Sequence, residues 1–417
     1  KLRAEFREHL AIVAESPVDL QPAQRFLEPL GIGIGDTDEP VQLSKQLIRC
    51  PSVTPVDEGA LDALSEYLKP FGFQCQRLAF SDAATPDVDN LYARFGDTAP
   101  NFCFAGHTDV VPPGNAADWA SDPFAPTVRD GRLYGRGAAD MKCAVAAFAV
   151  AAARVVKAKA QTLPGSISLL ITGDEEGPAV NGTLKVLDWM RKNDEVMDAC
   201  LVGEPTNPDQ LGDMIKIGRR GSLGGRITVN GTQGHVAYPQ LADNPVSQLL
   251  AFLKTIDDHV FDEGTAHFPP TNLEITTIDV GNETTNLIPA TATARFNIRF
   301  NDIHTGDSLA AHLQGIASKI AGAELQISVS GEAFLTPPGP LSRLVSDAVI
   351  QETGRTPVLS TTGGTSDARF IKDHCPVVEF GLINETAHKV DENALVSDIE
   401  TLTQIYERIL ISYFEIV

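Results

Sequence analysis

The stretch NFCFAGHTD, residues 101–109, decides the architecture. Its first six residues are apolar on both faces and run straight into His107-Thr108-Asp109. A strand of that kind is covered by helices on both sides, which is the habit of parallel sheets. Two further runs, SISLLITG (166–173) and DACLVG (198–203), share the character and alternate with helical stretches, one of them starting near Met141. From residue 41 to about 219 the expectation is an α/β domain with a mixed, mainly parallel sheet covered by helices.

Working outward, the order changes between about Gly221 and Gly331. There the chain reads strand (LGGRITVNG), helix (PVSQLLAFLKTIDDHV), strand (NLEITTIDVG), strand (TATARFNIRF), helix (SLAAHLQGIASKIAG), strand (ELQISVSG). That is the βαββαβ order of a ferredoxin-like split sandwich. The α/β pattern then resumes with a helix near 340–354, the strand PVVEFG (376–381) and a closing helix from Asp398. A small domain, 220–333, is thus expected as an insert in a large one made of 41–219 and 334–417. Residues 1–40, rich in Glu, Ala and Leu and ending in GIGIGDTDEP, are expected to form an extension of one or two short helices and a linker, with no assigned role.

Bulk composition narrows the function. The 417 residues suit two domains of unequal size. With 33 basic against 55 acidic side chains the net charge is -22, which repels nucleic acid phosphates and anionic lipid over most of the surface. Neither is an expected partner, and an anionic substrate would need arginines placed close to the site, which draws attention to Arg219, Arg220 and Arg299. Six cysteines, Cys50, Cys75, Cys103, Cys143, Cys200 and Cys375, are scattered without a CxxC pair and are expected to be reduced thiols. No run of about 18 apolar residues and no basic-then-apolar leader is present, so a cytoplasmic location is expected.

Chemistry gathers at strand ends, where open α/β sheets place their sites. His107 follows NFCFAG with Asp109 two residues on, a spacing that suits a ligand imidazole oriented by a neighbouring carboxylate. In YGRGAADMK, Asp140 precedes an alanine-rich helix, where it caps the helix or takes a metal. SISLLITG ends in Asp174, Glu175 and Glu176; three successive acids form either a solvated turn or a site that needs cations to offset their repulsion. DACLVG ends in Glu204, and INETAHKVDE supplies His388 with Asn384 four residues upstream. Two imidazoles and three carboxylates, with Glu175 to spare, are ligand stock for two metals sharing one activated water. Such a shell suits zinc, with cobalt or manganese possible.

The segments GHTDVVPPG, GRGAADMK, TGDEEGPAVNGT, GEPT and INETAHKVDE, in that order, resemble the co-catalytic dizinc metallopeptidase family that includes acetylornithine deacetylase. The likeness spans about residues 41–415. It implies a zinc-peptidase-like catalytic domain with two Zn2+ per subunit, Co2+ being a possible substitute. His107 and Glu204 would hold one metal, Glu176 and His388 the other, and Asp140 would bridge them. Glu175 becomes the general base and Asp109 the partner of His107. The segments IKIGRRGSLGG, NGTQGHVAYP, TTNLIPA, ARFNIRFN and STTGGTSDARF are most similar to family members that act on a succinylated amino acid. By that resemblance Arg219, Ser222, Arg299, Gly364, Thr365 and Asn384 would hold the carboxylates and amide of the substrate. His235 would reach across a homodimer to the partner site, and the inserted domain would be both lid and dimer interface.

The implied reaction is hydrolysis of N-succinyl-LL-2,6-diaminopimelate to succinate and LL-2,6-diaminopimelate, a step of lysine and diaminopimelate biosynthesis. A related N-acyl amino acid deacylase or a dipeptidase is the nearer alternative. A catalytically silent zinc-binding dimer is the distant one.

Overall fold

The computed structural model describes residues 39–415 apart from residue 161. The extension expected before residue 41 lies outside the described residues up to residue 38, and its last two residues already belong to the first helix.

In chain order the described elements are α1 (Glu39–Arg49), α2 (Ala60–Leu68), β1 (Gln74–Phe80), β2 (Val88–Phe95), β3 (Asn101–His107), β4 (Thr127–Arg129), β5 (Arg132–Tyr134), α3 (Lys142–Lys159), β6 (Ser166–Thr172), α4 (Thr183–Lys192), β7 (Ala199–Val202) and β8 (Met214–Lys216). The next group is β9 (Gly218–Arg219), β10 (Gly221–Asn230), β11 (Gly234–His235), α5 (Pro245–Asp257), β12 (Asn272–Asp279), β13 (Leu287–Ile288), β14 (Thr291–Phe300), α6 (Gly306–Ala317), β15 (Ala323–Gly331) and β16 (Phe334–Leu335). The chain closes with α7 (Pro340–Thr353), β17 (Val358–Ser360), a four-residue helix (Ala368–Ile371), β18 (Val377–Glu379), β19 (Asn393–Leu395) and α8 (Val396–Tyr413).

The chain folds as two compact units. The first holds the described residues up to Ile217 together with Thr336–Leu359 and Phe370 onward. Its eight-stranded sheet runs β1-β2-β6-β3-β7-β18-β8-β17. At the centre β6, β3, β7 and β18 are parallel, and every residue of β3 and β6 is buried, as the doubly apolar sequences require. The flanks are antiparallel at β1–β2, β2–β6 and β18–β8. β1 is half exposed along most of its length, so it carries no doubly apolar run to mark it as a strand. The helix α3 is buried continuously from Lys142 to Ala153, which is why its face is alanine all round rather than amphipathic. Phe148 of α3 stacks on Phe104 of β3 at 4.4 Å, and Tyr406 of α8 meets both rings edge-on. These contacts lock β3, and hence its carboxyl end, in the core.

Register then gathers the chemistry. His107 lies opposite Thr172, Ala105 opposite Val202, and Val202 opposite Glu379, so the segments that follow these parallel strands leave the sheet at its carboxyl end.

The second unit comprises Gly218–Leu335 and Ser360–Arg369. Its four strands are antiparallel in the order β12-β14-β10-β15, the ferredoxin-like arrangement of a βαββαβ chain. Alternating burial along β10 and β14 points Ile227, Phe296 and Ile298 at Phe252 of α5 and Leu309 of α6. Gly225 is dictated by this packing: a Cβ there would lie 2.1 Å from Cζ of Phe296. The unit extends past the expected limits of 220–333 because β9 and β16 pair antiparallel just outside them. Ser360–Arg369 joins it from far along the chain; there Thr361 Oγ1 donates to His267 O at 2.6 Å and Arg219 Nη1 to Gly364 O at 3.1 Å.

Candidate metal centre

The first unit brings seven of the candidate side chains to one end of the sheet. His107, 1% exposed, leaves β3 with Nδ1 2.9 Å from the carbonyl oxygen of Asp109. A carbonyl only accepts, so Nδ1 carries a proton and the lone pair of a neutral ring lies on Nε2. Nε2 faces Asp140 Oδ1 at 3.2 Å and Glu204 Oε1 at 3.7 Å, both carboxylate oxygens. Across the site His388 Nε2 lies 2.8 Å from Glu176 Oε1 and 3.4 Å from Asp140 Oδ2. The two oxygens of Asp140 therefore face two different imidazoles. His388 is half exposed and sits in the left-handed region at φ 63, a conformation a non-glycine residue keeps only when its surroundings impose it.

Asp109 differs in detail from its expected part. Its carboxylate lies 3.6 Å from His107 Nδ1, farther than its own carbonyl. The carboxylate instead accepts the Thr54 hydroxyl at 2.7 Å and the main-chain N–H groups of Glu176 at 3.1 Å and Glu175 at 3.3 Å. It thus ties the end of β3 to the acidic turn after β6. Thr54 carried no signal in the sequence beyond a hydroxyl near a proline.

The electrostatics call for positive charge. Burial opposes charging His107, yet the bond to Asp140 and the charges of Asp109, Glu204 and Asp140 raise its pKa well above the usual imidazole range. Bonds to Asp140 and Glu176 raise that of His388 to about 10. Burial, then the charges of Asp140 and Glu175, pushes Glu204 well up. Burial would also raise Asp140, but its bonds to both imidazoles hold it low. Raised proton affinity on both rings and on Glu204 shares one cause, the carboxylates crowded at the end of the sheet, and a cation there would offset it.

The donor set fits metals. His107, Glu175 and Glu204 present atoms within 4.8 Å of one another, and so do His107, Asp140 and Glu176. Mixed imidazole and carboxylate ligands suit zinc, cobalt or manganese. Neither group includes a cysteine, and all six cysteines are free thiols.

The other candidates are not members of these donor groups. Asn384 is exposed in the first unit, its N–H donating to Asn207 O at 3.0 Å. Arg219, Ser222, Arg299, Gly364, Thr365 and His235 belong to the second unit. Arg219 and Ser222 are buried, and Ser222 on β10 pairs with Arg299 on β14. His235 is exposed, its Nδ1 accepting the N–H of Ala237 at 3.0 Å. Among the described residues no helix is long and apolar enough to cross a membrane.

Residues 103–412 match peptidase family M20/M25/M40. The chain belongs to this family. Within it, the chain is 60% identical over 377 residues to succinyl-diaminopimelate desuccinylase of Rhodospirillum centenum, covering 90% of this chain and 97% of that one. Its identity to succinyl-diaminopimelate desuccinylase of Parvibaculum lavamentivorans is 58% over 381 residues, covering 90% and 96%. The family fold extends to an M20 family metallo-carboxypeptidase from Sulfolobus solfataricus. That structure superposes with a TM-score of 0.72 at 18% identity, covering 91% of this chain and 100% of that one.

Proposed function

We propose that this chain hydrolyses N-succinyl-LL-2,6-diaminopimelate to succinate and LL-2,6-diaminopimelate, using two divalent cations. The observation that carries this reading is the 60% identity, over nine-tenths of the chain, to a relative named for that reaction. The negative cluster of two imidazoles and four carboxylates supports it. His107 and Glu204 would hold one cation, Glu176 and His388 the other, and Asp140 would stand between them. Zinc is the metal proposed, with cobalt as a substitute. Such cations, when bound, polarise an amide carbonyl and lower the pKa of water.

The remaining work falls to the chain itself. Glu175, half-buried beside Glu176, takes a proton from the attacking water and hands it to the leaving amine, so one carboxylate serves as base and then acid. Arg219 and Arg299 supply guanidinium groups for the substrate carboxylates in a protein whose net charge is -22, and Ser222, Gly364, Thr365 and Asn384 orient the succinyl amide. His235 serves the site of a second copy in a homodimer by donating to the oxyanion of the tetrahedral intermediate. The second unit is then both lid and dimer surface, and the setting is the cytoplasm.

The test is a comparison of kcat/KM on N-succinyl-LL-2,6-diaminopimelate, N-acetylornithine and several dipeptides, with zinc supplied. The succinylated substrate should lead by orders of magnitude. Preference for either of the others would reassign the substrate within the family, and zinc binding without any hydrolysis would favour a silent metal-binding protein.

A further inference from the structure

Glu392 is fully buried, yet neither the ligand set nor the substrate contacts include it. A carboxylate without solvent must be matched by donors. Here Oε2 accepts Arg136 Nη1 at 2.7 Å and Gly137 N–H at 2.9 Å, while Oε1 accepts Ala139 N–H at 2.9 Å and Asp140 N–H at 3.0 Å. The carbonyl of the same residue accepts Gly135 N–H at 2.9 Å. One residue thus holds the main-chain donors of Gly135, Gly137, Ala139 and Asp140, while Arg136 and Ala138 donate to Pro123 O and Gly135 O. It arrives there because β19 pairs with β5, Asn393 opposite Tyr134, which sets Glu392 beside the start of the loop.

Its location along the chain matters as much as its bonds. Glu392 follows His388 by four residues, and Arg136, held by the Glu392 carboxylate, also donates to Lys389 O at 3.3 Å and Pro112 O at 3.4 Å. The loop that presents Asp140 and the loop that presents His388 therefore meet on one ion pair. A clamp that only closed a hairpin would need the first of these donors; this one continues to the N–H of Asp140 itself.

We infer that Glu392 is a positioning residue that sets the Asp140 carboxylate between His107 and His388. The inference rests on the proposed metal centre for its consequence, though its hold on the loop can be measured without any metal. Partners behind metal ligands fix the ligand geometry, and losing one typically costs about 10–100-fold in metal affinity or activity.

Glu392→Gln tests this, because an amide has one accepting oxygen and turns its NH2 toward donors at the other pair. In the full-length protein, calorimetric titration with zinc should show the weaker equivalent losing about 10–100-fold in affinity. The visible spectrum of the cobalt-loaded protein should change, and kcat should fall with KM nearly unchanged. Deuterium exchange should rise at residues 137–141 while β4 and β5 stay protected. Wild-type affinity and an unchanged cobalt spectrum would overturn the inference. Val345→Ala, a core truncation in α7, is the control: if it weakens the metals as much, Glu392 acts only through stability and the inference fails. Should Glu392→Gln not fold, Arg136→Lys keeps the charge and must produce the same changes in smaller degree; unaltered zinc affinity in that variant overturns the inference. If the unaltered protein takes up no cation, the metal-centre reading falls instead, and exchange over 137–141 still decides for or against Glu392.

Discussion

The Asp109 carboxylate accepts the main-chain N–H of Glu176 at 3.1 Å, joining the end of one central strand to the acidic turn of its neighbour. This bond orients Glu176 and its predecessor Glu175 from behind. Asp109→Asn would keep the shape but present an amide NH2 to N–H donors. It should weaken zinc binding by about 10–100-fold. Calorimetry on the folded variant checks it, and an undiminished affinity would remove Asp109 from any supporting part.

Glu175→Ala should leave both metals bound while turnover falls by at least about 100-fold, the scale of general acid–base catalysis. Metal content by elemental analysis, taken with kcat on the succinylated substrate, separates the two effects. Loss of metal along with rate would make Glu175 a ligand.

Removing cations with a chelator should abolish activity and lower the melting temperature, because a cation that binds only the folded state stabilises it and because the carboxylates around Asp140 then repel unscreened. Zinc or cobalt should restore both. An activity that survives exhaustive chelation excludes metal-dependent hydrolysis.

His235→Ala should fold normally and lose most of its rate. Dimers mixed from His235→Ala and Glu175→Ala subunits should recover part of it, since half of the sites could pair an intact His235 with an intact Glu175. No recovery in the mixture would mean that His235 does not act across subunits.

A pH-dependent prediction lies away from the site. Burial raises the carboxyl pKa of Glu407, with Arg154 at 3.8 Å offsetting only part of the effect. An acid whose folded-state pKa exceeds its unfolded value binds its proton more tightly when folded, so it destabilises the protein once pH rises above both values and costs nothing below them. Glu407→Gln should therefore raise the denaturation midpoint at pH 8 and leave it nearly unchanged at pH 4. A lower midpoint at pH 8 would show the pair with Arg154 to be net stabilising.

Much of this protein was legible one residue at a time. Doubly apolar runs announced the central strands, because burial on both faces leaves no polar position, and the acids and imidazoles stood at their ends. The βαββαβ order of the insert followed from strand and helix periods alone. The half-exposed strand β1 escaped, since nothing in QCQRLAF separates an edge strand from a loop. The attachment of Ser360–Arg369 to the second unit escaped as well, for it depends on contacts with residues about a hundred positions away that no local pattern encodes.

What the sequence by itself determined was the stock of candidate ligands and the sheet that carries them, since burial pattern and side-chain chemistry are properties of short segments. Only the tertiary structure decided which atom faces which: that His107 leans on a carbonyl, that Asp109 holds the acidic turn, and that Glu392 reaches 252 positions back along the chain to grip the loop of Asp140. Hydrogen-bond partners are chosen by three-dimensional proximity, which strand register and packing set together after the chain has folded.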